Sequence, residues 1–174
     1  FKPGKEIKQV LPSEINANLD HFSTLLQTAV SEKAFPGGVL LAAKDGEIFF
    51  HDAFGFHTYD KKRKMRKSDI FDLASISKVV GTTSAIMKMY DDKLIDLDDK
   101  VVTYLPQFKG QQKKYFNHKS NISIKHLLTH SSGLPPFRKY FLMDEDKESV
   151  LDSIFNTEPM YDLEEKTVYS DVGI

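Results

Sequence analysis

The sequence predicts a mixed α/β fold that opens with one helix and one β-hairpin and continues as helices and loops. Three observations carry this prediction: a helical apolar periodicity after Ser13, the pair Asp45-Gly46 between two apolar runs, and a return of helical spacing after a charged loop. We expect an irregular segment over 1–12, the first part of an α/β domain over 13–60 and a helical region over 61–174.

The first helix is predicted by apolar residues that fall on one helical face. Ser13 is a suitable N-cap, and Pro36-Gly37-Gly38 ends the segment. The apolar positions recur at intervals of three and four: Ile15, Leu19, Phe22, Leu26 and Ala29 with Val30.

The hairpin is predicted by the runs Val39–Ala43 and Ile48–Phe50 on either side of Asp45-Gly46. Asp-Gly suits a type I′ turn, which needs positive φ at both central residues. Both runs are apolar on both faces, so we expect the sheet to be covered on two sides. No third strand is recognisable, and two strands alone do not make a stable sheet. This shortage, together with a first residue Phe1 rather than Met, leads us to expect a piece of a larger protein whose incomplete sheet self-associates.

The helical region begins with Ser75–Tyr90, whose faces carry few charges and which we therefore expect to be a buried central helix. Shorter helical patterns follow near Asp99–Leu105, Ser123–His130 and Asp146–Phe155. The connections between them are rich in Pro, Gly, Asn and Lys.

Composition excludes several classes of function. The chain has 24 Lys+Arg against 25 Asp+Glu, a balance that argues against nucleic-acid binding driven by bulk charge. The chain has no cysteine, which excludes disulfides, thiolate zinc sites and a cysteine nucleophile. No apolar run approaches the ~18 residues of a membrane span, and no cofactor motif is present.

Three other patterns have simpler explanations than a site. His126 and His130 have the i, i+4 spacing of a zinc-binding helix, but Leu127 stands where His-Glu-x-x-His enzymes have glutamate, so we expect no metal. The basic run 61–67 is expected to be a solvated loop. Glu164 and Glu165 are sequence neighbours and cannot face each other across a glycosidic bond.

The motif that points to chemistry is Ser75-Ile76-Ser77-Lys78. Spacing of three places the Ser75 hydroxyl and the Lys78 ammonium one turn apart on the same face. A serine hydroxyl needs an adjacent base to act as a nucleophile, and a lysine can be that base when its pKa is lowered. By itself the motif also fits an N-cap serine followed by an exposed lysine.

The segments around this motif resemble the serine β-lactamases, penicillin-binding proteins and family VIII carboxylesterases, including the class C β-lactamases. The resemblance extends over roughly 15–174 and is carried by Asp69–Lys78, by Leu94–Pro106 and most specifically by Ile122–Pro135. It implies Ser75 as the acylated residue and Lys78 as its partner.

The second motif of these families is Tyr-x-Asn, and Tyr169-Ser170-Asp171 stands in its place. The resemblance implies that Tyr169 helps to move the serine proton to the leaving group. Asp171, which replaces the amide, would add a negative charge that tends to keep Lys78 protonated. The Pro-Gly pair common before this tyrosine is replaced by 162–166, so the turn must be made differently.

The resemblance implies a β-lactamase/transpeptidase-like fold, present here as the first helix, the hairpin and most of the helical region. It further implies a serine hydrolase that acts on a lactam, a peptide or an ester in a bacterial periplasmic or extracytoplasmic setting, without cofactor or metal. The missing strands would supply the second oxyanion donor, so we expect this chain alone to be a poor catalyst. The alternative is a non-catalytic binding or structural module of the same fold. A domain appended to a larger enzyme is a third possibility.

Overall fold

The computed structural model describes residues 8–9 and 19–174, which fall into two compact units, Phe1–Asp72 and Leu73–Ile174. The predicted cap Ser13 and the predicted helical position Ile15 lie outside the described residues. No helix in the described part of the chain is long and apolar enough to cross a membrane.

The first unit contains a small sheet and one helix. Its elements are β1 (Lys8–Gln9), α1 (Leu19–Ser31), β2 (Gly37–Lys44) and β3 (Glu47–Gly55). The strand order is β1-β3-β2, with β2 antiparallel and β1 parallel to β3. The expectation that no third strand accompanies the hairpin is therefore wrong. β1 was missed because two residues within the segment 1–12, expected to be irregular, carry no periodicity to recognise.

The predicted hairpin turn is confirmed. Asp45 and Gly46 have φ of 53° and 82°, the positive values that a type I′ turn requires, and Lys44 pairs directly with Glu47.

The apolar face of this sheet packs against α1 through aromatic rings. The Phe22 and Phe50 ring centroids lie 6.0 Å apart, and Phe50 stacks on Phe54 at 6.4 Å. Phe54 is buried, whereas Leu41 is 49% exposed. Among the described residues the sheet is thus not covered on both faces as expected, and self-association through it stays a prediction.

The basic loop 61–67 is solvated as predicted except for Met65, and it is fixed by one carboxylate. The Asp69 oxygens lie 2.8 Å from His57 Nε2 and 2.8 Å from the Arg63 guanidinium, and they accept the Arg66 backbone N–H at 2.7 Å. The loop 61–67 therefore belongs to the first unit, whereas the sequence pattern placed it in the helical region.

The second unit consists of short helices around a small apolar core. Val101, Phe108, Ile122 and Leu134 form its buried centre. Its elements are a π-helical segment (Lys78–Thr83), α2 (Ser84–Asp91), α3 (Val101–Tyr104), α4 (Phe116–Asn121), α5 (Ile124–Leu128) and α6 (Lys147–Phe155), with 3₁₀ turns at Pro106–Lys109, Lys113–Tyr115 and Tyr140–Leu142.

The expected buried helix over Ser75–Tyr90 is corrected in two respects. Its first part is a π-helical segment, and no residue of that segment or of α2 is buried within the described chain. Val79 is 62% and Met87 65% exposed. Apolar composition predicted burial, but the described residues leave these side chains uncovered.

Side-chain capping explains where α5 and α6 begin. Asp146 accepts the Ser149 N–H before α6, at the start that the sequence predicts. Ser123 forms a reciprocal capping box with His126 before α5. α5 ends at Leu128, so His130 lies beyond the helix that was predicted to contain it.

Candidate active site

Ser75 and Lys78 lie on the turn that leads into the π-helical segment. The Lys78 N–H donates to the Ser75 carbonyl at 3.1 Å, closing a four-residue turn that brings both side chains to one face. Lys78 Nζ is 3.4 Å from Ser75 Oγ. Ala74, immediately before the serine, has φ of 43°, an uncommon backbone conformation for a non-glycine residue.

Tyr169 and Asp171 reach the same place from the other end of the unit. Lys78 Nζ donates to Asp171 Oδ1 at 2.7 Å across 93 residues of sequence, and it lies 5.3 Å from the centre of the Tyr169 ring. Both Ser75 and Lys78 lie close enough to the Tyr169 side chain to lower the pKa of its phenol. The structure thus brings together all four side chains that the sequence proposed as a site.

The segment that carries Tyr169 is held by backbone bonds to 130–136. The Val168 N–H donates to His130 O at 2.9 Å, and the Asp171 N–H donates to Pro136 O at 2.8 Å. Ser170, which lies between Val168 and Asp171 in the sequence, is 1% exposed. Its hydroxyl donates to Pro135 O at 2.7 Å. The specific segment Ile122–Pro135 therefore has a physical role, because it is the template on which the tyrosine is aligned.

Gly133 is required by this template. Its φ is +76°, and a Cβ built on it would lie 2.2 Å from the Tyr161 carbonyl oxygen. That proximity lets the Gly133 carbonyl accept the Met160 N–H at 2.8 Å.

The turn that replaces Pro-Gly is made by 162–165. Glu164 takes a positive φ of 63° and its N–H donates to Ser131 O at 3.0 Å. The Glu165 carboxylate accepts the Asp162 N–H at 3.0 Å, while the Glu165 N–H donates to the Asp162 carbonyl at 3.1 Å. A glutamate thus adopts a left-handed conformation that glycine would adopt at lower cost.

The pKa values of Lys78 and Tyr169 are shifted in opposite directions within the site. The hydrogen bond that Lys78 donates to Asp171, followed by the interaction with Tyr169, raises the pKa of Lys78 against the opposing effect of burial. Hydrogen bonds from Ser75 and then Lys78 lower the pKa of the Tyr169 phenol. The predicted effect of Asp171 on Lys78 is confirmed. The lowered lysine pKa that a lysine base needs is not found.

His130 is the residue of this site that the sequence interpretation missed. Its ring centroid lies 4.6 Å from that of Tyr169, and its Nδ1 accepts the Ser170 N–H at 3.2 Å. The sequence suggested only a metal pair with His126, whose Nδ1 accepts the Ser123 N–H at 3.0 Å. The described residues contain no group of three His, Cys, Asp or Glu that could hold a metal. The sequence feature that could have pointed to His130 is its position within Ile122–Pro135, the segment that carries the family resemblance most specifically.

A family model supplies the context for this arrangement. The Beta-lactamase model matches residues 22–174. The chain belongs to the Beta-lactamase family. Penicillin-binding protein 4* of Bacillus subtilis (strain 168) is 33% identical over 75% of this Beta-lactamase-family chain, and N-acetylmuramyl-L-alanine amidase of the same strain is 32% identical over 99% of it.

Solved structures show the β-lactamase/transpeptidase-like fold that the sequence predicts. EstCE1, a hydrolase with promiscuous acyltransferase activity, matches 89% of the chain with a TM-score of 0.71 and 26% identity. A class C beta lactamase from Rhodobacter sphaeroides matches 87% with a TM-score of 0.65 and 22% identity. The Beta-lactamase-family chain covers 26% and 45% of the two Bacillus relatives and 45% and 40% of these two structures.

Proposed function

We propose that the protein carrying this chain is a serine hydrolase that cleaves an ester or amide through an acyl-enzyme on Ser75. One observation carries the proposal: the Ser75 side chain lies beside a lysine ammonium and a tyrosine whose pKa is lowered. A serine nucleophile needs such a neighbouring group to remove its proton.

The charges favour Tyr169 rather than Lys78 as the group that takes this proton. Lys78 stays an ammonium because Asp171 raises its pKa, and it stabilises a Tyr169 phenolate. In its phenolate form, Tyr169 accepts the Ser75 proton as Oγ attacks the carbonyl carbon. Tyr169 then gives that proton to the leaving group when the ester or amide bond breaks. Attack of water on the acyl-serine releases the acid and returns the proton to Ser75.

The relatives support an amide of the bacterial cell wall as one substrate class, since their names describe a penicillin-binding protein and a muramyl-alanine amidase. EstCE1 supports ester or acyl-transfer chemistry instead. Both classes proceed through the same acyl-serine.

The acyl-enzyme is tested by covalent labelling of the complete gene product. A fluorophosphonate and a penicillin are each incubated with the protein, and the adduct is located by mass spectrometry. We expect labelling of Ser75, loss of the adduct in Ser75→Ala, and labelling unchanged in the matched control Ser77→Ala, which alters the other serine of the motif. An adduct elsewhere, or one that survives Ser75→Ala, contradicts the proposal.

The roles of the two partners are tested by their removal. Lys78→Ala and Tyr169→Phe should each slow acylation by about 10²–10⁴-fold, the usual contribution of a positioned acid–base group. A variant of either residue that acylates at the wild-type rate refutes the role assigned to it.

The second candidate is a non-catalytic module of the same fold. The observation that favours it is the Lys78–Asp171 ion pair at 2.7 Å, which occupies the lysine in a way that an asparagine amide would not. If this candidate is correct, the wild-type protein takes no label on Ser75 and Asp171→Asn gains it. Labelling of the wild-type protein excludes it.

A further inference from the structure

We infer that His130 is a positioning residue of the acyl-transfer site, which as a neutral imidazole holds Tyr169 against Ser75 and on protonation releases it. The inference rests on the proposed function of Ser75 and Tyr169. In this inference, His130 makes the site sensitive to acid through its contact with Tyr169 rather than through the reacting Ser75.

His130 holds the tyrosine from both of its chain neighbours. Its carbonyl accepts the Val168 N–H at 2.9 Å, and its ring nitrogen Nδ1 accepts the Ser170 N–H at 3.2 Å. The residue between them is Tyr169. Its ring lies against the imidazole with centroids 4.6 Å apart and planes 40° apart. His130 thus binds the N–H groups of both chain neighbours of Tyr169 and also packs against its ring.

The backbone conformation of His130 allows its carbonyl and its ring to make these two contacts. α5 ends at Leu128, and His130, two residues later, has a left-handed φ of 56° that turns the chain away from the helix axis. The left-handed conformation is disfavoured in a non-glycine residue. Asparagine tolerates that conformation better than most other residues, a property used in the test below.

The hydrogen bond fixes the protonation state that the site needs. Nδ1 can accept the Ser170 N–H only when it carries no proton, so the neutral ring has its proton on Nε2. Protonation of Nδ1 replaces the acceptor by a donor that faces the Ser170 N–H. The contact is then lost and the flanking peptide is free to move.

The charged and titratable groups that face His130 are the Lys78 ammonium, the Asp171 carboxylate and the Tyr169 phenol. Burial, followed by the charge of Lys78, lowers the pKa of His130 below its usual value of 6.5, and Asp171 opposes the shift. The imidazole is therefore neutral at pH 7. Acidification adds a second cation beside Lys78 and breaks the Ser170 contact in the same step.

The first test reads this coupling without any reaction. In an NMR titration of this chain, the Ser170 amide resonance should move together with the His130 ring resonances, with a midpoint below 6.5. In His130→Asn the acid-dependent movement of the Ser170 amide should be absent. A Ser170 amide that does not respond to His130, or that moves unchanged in the variant, overturns the inference.

The second test follows Ser75 acylation by a fluorophosphonate against pH in the complete gene product. His130→Leu, which lacks an acceptor, should slow acylation about 10–100-fold near neutral pH, since small displacements of a reacting group cost rates of this order. Asparagine keeps an acceptor oxygen and tolerates the left-handed backbone, so the acylation rate of His130→Asn should stay within about threefold of wild type. The fall in acylation rate at acidic pH that we assign to His130, the acidic limb of the pH profile, should be absent in this variant.

His126→Asn is the control, because His126 is also hydrogen-bonded but contacts Ser123 and Glu164. It should keep the wild-type acidic limb. An acidic limb that persists in His130→Asn, or that disappears equally in His126→Asn, overturns the inference. Absence of Ser75 labelling in the wild-type protein refutes the proposed function instead, and the NMR titration then decides the role of His130 alone.

Discussion

Replacement of Lys119 by methionine tests the energetics of the second unit. Lys119 is 2% exposed, and its Nζ donates to the Phe155 carbonyl at 2.5 Å, 5.7 Å from the Phe108 ring. Burial lowers the pKa of this ammonium to about 8. Lys119→Met keeps an unbranched chain of similar length and removes the charge.

The magnitude follows from proton linkage. The pKa falls from 10.5 in the unfolded chain to about 8 in the folded one, so the unfolded state binds more protons between these values. The charge therefore costs folding about 3 kcal/mol below pH 8, and the cost disappears as the pH rises through this window. Loss of the bond to Phe155 O offsets the gain in Lys119→Met by about 1–3 kcal/mol at every pH.

The assay is urea unfolding followed by circular dichroism at about pH 7 and about pH 9.5. The stability of wild type relative to Lys119→Met should increase by about 2 kcal/mol between the two values. Lys113→Met, at an exposed lysine nearby, is the control and should show no such change. If the difference in unfolding free energy between wild type and Lys119→Met does not change with pH, the claim that burial destabilises the Lys119 ammonium is refuted.

Three further outcomes are expected. At the left-handed position 164, Glu164→Gly should be more stable than Glu164→Ala by about 1 kcal/mol in urea unfolding, and equal stability would contradict the strain assigned there. Chelator treatment should leave the melting temperature unchanged, because the rings of His126 and His130 accept backbone N–H groups; a fall reversed by zinc would contradict this. Burial raises the pKa of Asp69, but hydrogen bonds led by that from His57 lower it overall, so its stabilisation is present above the unfolded pKa and lost on acidification. Asp69→Asn should accordingly flatten the acid unfolding of the first unit, and an unchanged acid transition would count against the network.

The elements predicted correctly are those whose cause is local in sequence. The Asp45-Gly46 turn depends on two adjacent residues that tolerate positive φ, and the start of α6 depends on the side chain of Asp146. In both cases the sequence contains the whole interaction. Prediction of the boundary therefore needed no knowledge of the remainder of the fold.

The errors concern interactions that join distant segments. β1 is defined by its pairing with β3, since Lys8–Gln9 has no pattern of its own. The same holds for His130, whose role depends on the Ser170 N–H at a separation of 40 residues. An i, i+4 spacing with His126 was visible in the sequence, while the end of α5 that separates the two histidines was not.

The Lys78–Asp171 pair shows where residue chemistry suffices and where geometry must be added. A carboxylate near a lysine raises the lysine pKa whatever the fold, so the direction of the effect follows from the residue types once the two are expected to be neighbours. The identity of the proton acceptor does not follow in this way. It depends on a second observation, that Ser75 and Lys78 lower the pKa of the Tyr169 phenol. The ion pair that weakens the lysine as a base therefore leaves a cation in place to support the tyrosine, and an aspartate at 171 is compatible with a nucleophilic serine for that reason.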